Sequence, residues 1–250
     1  MRLNGFDTEL QSWGEGPEAV LCLHPLGQEA AFFADLDLGP GRRVLSFDQR
    51  GHGVAAATSA ESLTQMVDDA EAAMRKTGAR HLAGFSMGGA VAAELAARSD
   101  ARSVCLAATP HEGLPVFAER ACAVSRGSVA AVTEHTVQRW FGRTGPEPAI
   151  DRARASLAKM TPEGFDAAWR ALASFEGYGR IAPALPPALC LAYAGDLSTP
   201  PDVLMGIAGT IRDAGGRAEF DTIPGAGHFG LLETPRETSA AIRGFLEGLE

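Results

Sequence analysis

The sequence predicts an α/β fold: a mostly parallel, twisted sheet with helices on both faces and an inserted helical cap. Three observations carry this expectation. Short, almost wholly apolar runs recur along the chain, as in strands buried on both faces of a sheet. Longer stretches with apolar residues at three- and four-residue steps separate them, as in crossover helices. Between residues 111 and 180 no strand-like run occurs, only helical stretches and the loops between them.

In chain order, the strands are expected at Ala19–Leu23, Val44–Phe47, His81–Phe85, Val104–Ala108, Leu189–Ala194 and Ala218–Ile223. Ser62–Thr77 places Leu63, Met66, Val67, Ala70 and Met74 on one helical face, and Gly78 is placed to stop that helix. Gly88–Arg98 is Ala-rich, with Val91 and Leu95 four residues apart. Pro201–Ala214 and Pro235–Leu249 begin at prolines, which suit a first helical turn. Inside the helical segment, helices are expected around Phe117–Ala123, Ser128–Phe141, Ile150–Lys159 and Thr161–Phe175, with Gly142–Pro148 as a loop. Residues 1–110 and 181–250 therefore form the expected core, and residues 111–180 its cap or lid.

Composition narrows the function. The 250 residues carry 31 acidic and 22 basic side chains, for a net charge of −9, and the only lysines are Lys76 and Lys159. A nucleic-acid binder needs a basic stripe, and none is present. No apolar run reaches the roughly 18 residues of a membrane span, and the N-terminal residues lack a charged-then-apolar leader, so a cytoplasmic protein is expected. Cys22, Cys105 and Cys190 lie in apolar runs, and no two of the four cysteines have metal-ligand spacing. No nucleotide, metal or flavin motif occurs, so no cofactor is expected. The expected partner is a small-molecule substrate, with a homo-oligomer left open.

The chemistry is concentrated in a few motifs. Gly84-Phe85-Ser86-Met87-Gly88 matches G-x-S-x-G, with an apolar strand before it and an Ala-rich helix after it. A serine on so sharp a turn is lifted above the sheet edge, at a helix N-terminus that favours developing negative charge. A serine hydroxyl needs a base in hydrogen-bond reach. His228, on the Gly-rich loop Pro224–Gly227 after the last strand, is the best placed of the six histidines. Asp196, at the end of a strand, is the candidate to orient it, with Glu112 and Asp202 as rivals. The order Ser…Asp…His is that of α/β-hydrolases. An oxyanion hole needs two N–H groups. Met87 supplies one, and Leu26 in His24-Pro25-Leu26-Gly27 the other, because Pro25 has no N–H.

With these motifs in order, the chain resembles the α/β-hydrolase superfamily over nearly its whole length. The turn Asp48-Gln49-Arg50-Gly51-His52-Gly53 is similar to a mainly structural turn of that superfamily. Within it, the chain is most similar to 3-oxoadipate enol-lactone hydrolases. The likeness extends to Arg139-Trp140-Phe141, to Met160–Phe165 and to Gly195-Asp196 with Thr199-Pro200-Pro201. It departs from them at His24-Pro25 and at Phe229 after the histidine, both expected to line the pocket.

The resemblance implies an α/β-hydrolase fold and a carboxylic ester hydrolase that cleaves a small ester or enol lactone through an acyl-enzyme. Substrate contacts are expected from His24, Arg139, Trp140 and Phe229, with Arg139 as a fork for a carboxylate. The same triad also serves C–C bond hydrolysis, cofactor-free lyase or perhydrolase chemistry. A binding protein on a hydrolase scaffold would have no need of the intact triad.

Overall fold

The computed structural model describes residues 1–124, 128–142 and 145–249. The chain opens with a small antiparallel pair, β1 (Arg2–Leu3) and β2 (Phe6–Asp7), and continues into β3 (Leu10–Trp13), β4 (Glu18–Leu23) and β5 (Arg42–Phe47). Then follow α1 (Leu63–Thr77), β6 (His81–Phe85), α2 (Met87–Arg98) and β7 (Ser103–Ala107). Five helices come next: α3 (Pro115–Cys122), α4 (Ala130–Phe141), α5 (Glu147–Leu157), α6 (Pro162–Ala173) and the short α7 (Tyr178–Ile181). The core resumes with β8 (Ala188–Tyr193), α8 (Pro201–Asp213), β9 (Ala218–Ile223), α9 (Gly230–Glu233) and α10 (Pro235–Glu247).

The main sheet has seven strands in the order β3-β5-β4-β6-β7-β8-β9. Only β3 runs antiparallel, against β5. Every residue of β6, β7 and β8 is buried, which is why those strands read as unbroken apolar runs. The observed β5 begins at Arg42, earlier than expected, because a charge can enter the ladder when it is paired. The register sets Arg42 beside Glu18, and Arg42 Nε donates to Glu18 Oε2 at 2.7 Å. The other Glu18 oxygen meets His81 Nε2 at 3.0 Å, and His81 Nδ1 meets Ser103 Oγ at 2.8 Å. This polar chain ties the starts of β5, β4, β6 and β7 together. It is distant in the fold from the sheet's carboxyl edge.

The helix signals are local and specific. Ser62 caps α1 by accepting the Gln65 N–H, and Gly78 ends that helix in the left-handed conformation, at φ 69°. Thr161 caps α6 by accepting the Gly164 N–H at 3.0 Å. The loop expected at Gly142–Pro148 is shorter than expected, since α5 begins at Glu147; residues 143 and 144 lie outside the described residues. Strands β1 to β3 and helix α7 were not legible in the pattern. They are two to four residues long, and β3 alternates exposed and half-buried positions.

The helices between β7 and β8 lie against the core through several contacts. Lys159 pairs with Glu29, Arg152 with Asp35 and Arg180 with Glu94, and Gln28 Nε2 donates to the Ala153 carbonyl at 3.4 Å. Cys22, Cys105 and Cys190 are buried without disulfides and serve as small core residues. Among the described residues, no helix is long and apolar enough to cross a membrane and no cluster of metal-ligating side chains occurs.

Candidate active site

Four loops converge at the carboxyl edge of the parallel strands, following β4, β6, β8 and β9. Strand β6, fourth of the seven, lies where the chain's strand order turns from one side of the sheet to the other, the usual place for a ligand crevice.

Ser86 sits between β6 and α2 with φ 52° and ψ −117°, a strained conformation for a residue with a side chain. Its backbone is pinned on both sides. Its N–H donates to the Ala107 carbonyl at 2.9 Å, and its carbonyl accepts from Thr109 Oγ1 at 2.9 Å. Gly88 permits the tight turn: a Cβ there would lie 2.0 Å from the Leu23 carbonyl oxygen, so α2 could not start so close to β4 with any other residue.

The hydroxyl is directed at an imidazole. Ser86 Oγ lies 2.9 Å from His228 Nε2, and His228 Nδ1 lies 2.8 Å from Asp196 Oδ2. Both His228 and Asp196 are buried. Asp196 Oδ1 also accepts the N–H groups of Ser198 and Thr199 at 2.7 and 3.0 Å, and Oδ2 accepts the Thr199 hydroxyl at 2.6 Å. An acceptor so fully supplied fixes the tautomer. His228 Nδ1–H donates to the carboxylate, leaving Nε2 as acceptor for the serine proton. Burial alone would raise the Asp196 carboxyl; the imidazole and the Thr199 donors outweigh it and hold it below the ordinary carboxylate value. The rivals Glu112 and Asp202 are exposed, and neither bonds the His228 ring.

Leu26 and Met87 flank the serine. Met87 opens α2, so its N–H is among the orphan donors of a helix start. Neither this N–H nor that of Leu26 has an acceptor among the described residues. The Leu26 side chain lines the same cavity as Ser86 and His228.

That cavity lies beneath α3, α4 and α6. Its volume is about 20 Å³, room for about one water. Pro110, Phe117, Trp140 and Leu172 line it on the apolar side, and Arg120, Arg139, Trp169 and Ser198 bring polar atoms.

The sequence from residue 20 to residue 241 matches the profile of the alpha/beta hydrolase family. The chain belongs to that family.

Known structures agree with the fold of this α/β-hydrolase. A malate-bound thermophilic esterase from Thermogutta terrifontis superposes with a TM-score of 0.87 at 26% identity, over 97% of this chain and 93% of its own. The enol-lactonase from Burkholderia xenovorans LB400 gives 0.84 at 25% identity, over 98% of both chains. A hydrolase from Pseudomonas aeruginosa PA01, at 24% identity and a TM-score of 0.85 over 96% and 94%, supports the fold. No curated protein matches the chain.

Two expected substrate contacts fall elsewhere in the hydrolase. His24 is fully buried and does not line the cavity. Its Nδ1–H donates to the Pro25 carbonyl at 2.9 Å, and its Nε2 accepts the Gln49 N–H at 3.0 Å. Burial brings its pKa down to about 4, so it stays a neutral brace between two loops. Phe229 is also withdrawn. It stacks on His228 with ring centroids 5.4 Å apart and on Trp140 at 4.4 Å, backing the wall rather than forming it. Arg139 and Trp140 do line the cavity.

Asp48, Arg50 and His52 hold their turn. Asp48 accepts the N–H groups of Ala30 and Val54, both at 2.7 Å, and Arg50 Nε pairs with Asp69 at 2.6 Å. Sequence reasoning passed over Arg120 and Trp169, which stand on α3 and α6 far from Arg139 in sequence. The pairing of α3 with α6 would have been needed to find them, and no spacing signals it. Thr199, whose hydroxyl donates to Asp196, carries no sequence signal beyond its place in Thr199-Pro200-Pro201.

Proposed function

We propose that this α/β-hydrolase is a serine hydrolase that cleaves a small carboxylic ester or enol lactone through an acyl-enzyme. The observation that carries the reading is the continuous hydrogen-bonded path Ser86–His228–Asp196, with distances of 2.9 and 2.8 Å, beside two unpaired N–H groups. Similarity to an esterase and an enol-lactonase supports the same bond type.

In this reading Ser86 Oγ attacks the acyl carbon as its proton passes to His228 Nε2. The Leu26 and Met87 N–H groups hold the oxyanion, and Asp196 stabilises the imidazolium. The C–O bond to the leaving group breaks, and His228 returns the proton to the departing alkoxide or enolate. Water then attacks the acyl-enzyme, giving its proton to His228. The acid is released and the proton returns to Ser86. An enolate leaves more readily than an alkoxide, so a lactone of this kind asks less of the acid step.

Helices α3 to α7 act as a lid here, because the cavity beneath them is too small for an ester until they shift. The enzyme is expected to work in the cytoplasm on a soluble small molecule.

The test is hydrolysis of p-nitrophenyl esters by the wild type and by Ser86→Ala. The variant is expected to lose on the order of a million-fold in kcat. Full turnover by Ser86→Ala would defeat the reading. Product analysis on ester and diketone substrates identifies which bond is cut.

A further inference from the structure

Three buried polar atoms in the same cavity have no hydrogen-bond partner among the described residues: Arg139 Nη2, Trp169 Nε1 and Ser198 Oγ. The first two belong to groups that can only donate. Buried polar atoms are normally satisfied, so this cluster lacks an acceptor.

Charge points the same way. The Arg120 and Arg139 guanidiniums both lie over the Trp169 ring, 5.0 and 5.8 Å from its centroid. Neither makes an ion pair among the described residues. Glu119, adjacent to Arg120 in the chain, acts on it only at longer range. Burial and the charge of Arg120 pull the Arg139 pKa down to about 10. Two like charges beside one aromatic ring are costly without a counter-charge.

The position suits an entrance. Arg120, Arg139 and Trp169 also line an open groove between α3 and α4, bounded by α6, with a volume of about 330 Å³. The three side chains therefore stand between this groove and the cavity that holds Ser86 and His228. Among the described residues, the groove's other titratable side chains are Glu119 and His135.

We propose that Arg120, Arg139 and Trp169 form a carboxylate-recognition gate that admits anionic esters or lactones to Ser86 from the groove between α3 and α4. This rests on the serine-hydrolase reading only for its consequence in catalysis. The binding of an anion does not require it. A planar carboxylate accepts from a guanidinium fork and from an indole N–H together, which a neutral ester oxygen does less well.

The test has two parts. In the first, kcat/KM is compared for p-nitrophenyl hydrogen glutarate and the neutral p-nitrophenyl valerate, which share an acyl length. Carboxymethyl butyrate and propyl butyrate form a second pair, with the charge on the alcohol side. In at least one pair the wild type is expected to favour the anion by about tenfold or more. Arg120→Gln/Arg139→Gln is expected to collapse that ratio, chiefly through KM, and Arg120→Lys/Arg139→Lys to retain part of it.

In the second part, glutarate binding to Ser86→Ala is measured by calorimetry, independent of turnover. It is expected to be saturable and to be lost in Ser86→Ala/Arg120→Gln/Arg139→Gln. No anion preference in either pair, together with no glutarate binding to Ser86→Ala, would overturn the gate. A wild type that binds glutarate but leaves every ester intact would instead defeat the hydrolase reading.

Discussion

The backbone N–H of His228 donates to the carbonyl oxygen of Trp140 at 2.8 Å. Trp140 lies in the last turn of α4, where carbonyls lack intrahelical partners, so the loop that carries His228 serves as a cap for that helix. The same loop is held from its other side, where the Gly227 N–H donates to Glu233 Oε1 at 2.9 Å. The loop that carries the imidazole is thus held jointly by α4 and by α9. Any displacement of α4 would therefore also move the His228 ring.

Gly227→Ala tests that coupling. A Cβ at this position would lie 2.7 Å from the Trp140 carbonyl oxygen and 3.2 Å from Glu233 Oε1, so the loop must move. We expect a folded protein whose kcat falls by about tenfold or more with a smaller change in KM, because a small misplacement of a catalytic group is costly. Steady-state kinetics with a p-nitrophenyl ester measures this.

Glu233 predicts a pH effect on stability. Burial, with the Asp196 charge adding to it, raises its pKa from 4.5 to about 7, against the lowering effect of the Gly227 N–H. A carboxyl whose folded pKa is raised favours the fold while protonated, and that contribution is lost as pH rises through the folded value. Glu233→Gln keeps an acceptor for Gly227 without the charge. Its Tm relative to the wild type should climb from pH 4.5 to about 7 and level off above. A Tm difference independent of pH would contradict the assignment.

The ion pair of Arg50 with Asp69 is expected to matter for folding rather than turnover. Both side chains are buried, at 7% and 3% exposure. Arg50 also donates to the Asn4 carbonyl at 2.9 Å and lies 4.4 Å from the Phe6 ring centroid. Asp69→Ala strands the guanidinium and should cost about 3–5 kcal/mol. Denaturant unfolding measures the loss.

Asp196→Asn should leave the fold intact and lower kcat by roughly ten-thousand-fold, because the imidazole loses both its tautomer and its counter-charge. Thr199→Val removes only the hydroxyl that donates to Asp196 Oδ2 at 2.6 Å and should cost far less. Comparison of the two kcat values checks the ranking.

The legible parts of the molecule were those with strong local patterns. Fully buried strands such as His81–Phe85 read as apolar runs, and Gly78 marked a helix end through its φ requirement, whereas the caps at Ser62 and Thr161 emerged only in the structure. Ser86, Asp196 and His228, which the structure joins by hydrogen bonds, could be singled out because each follows a strand on a short, distinctive loop. The pairing of Arg120 with Arg139 was not legible, because it depends on how α3, α4 and α6 pack. His24 misled for a related reason. Its place beside Leu26 suggests the pocket, but its ring turns to Pro25 and Gln49, a choice set by tertiary hydrogen bonds.

The most direct test of the central claim is fluorophosphonate labelling followed by peptide mass mapping, on the wild type and on His228→Ala. A single adduct on Ser86, formed far more slowly in His228→Ala, is the result we expect. Folded wild type that remains unmodified at Ser86 would contradict the claim that this hydroxyl is an activated nucleophile.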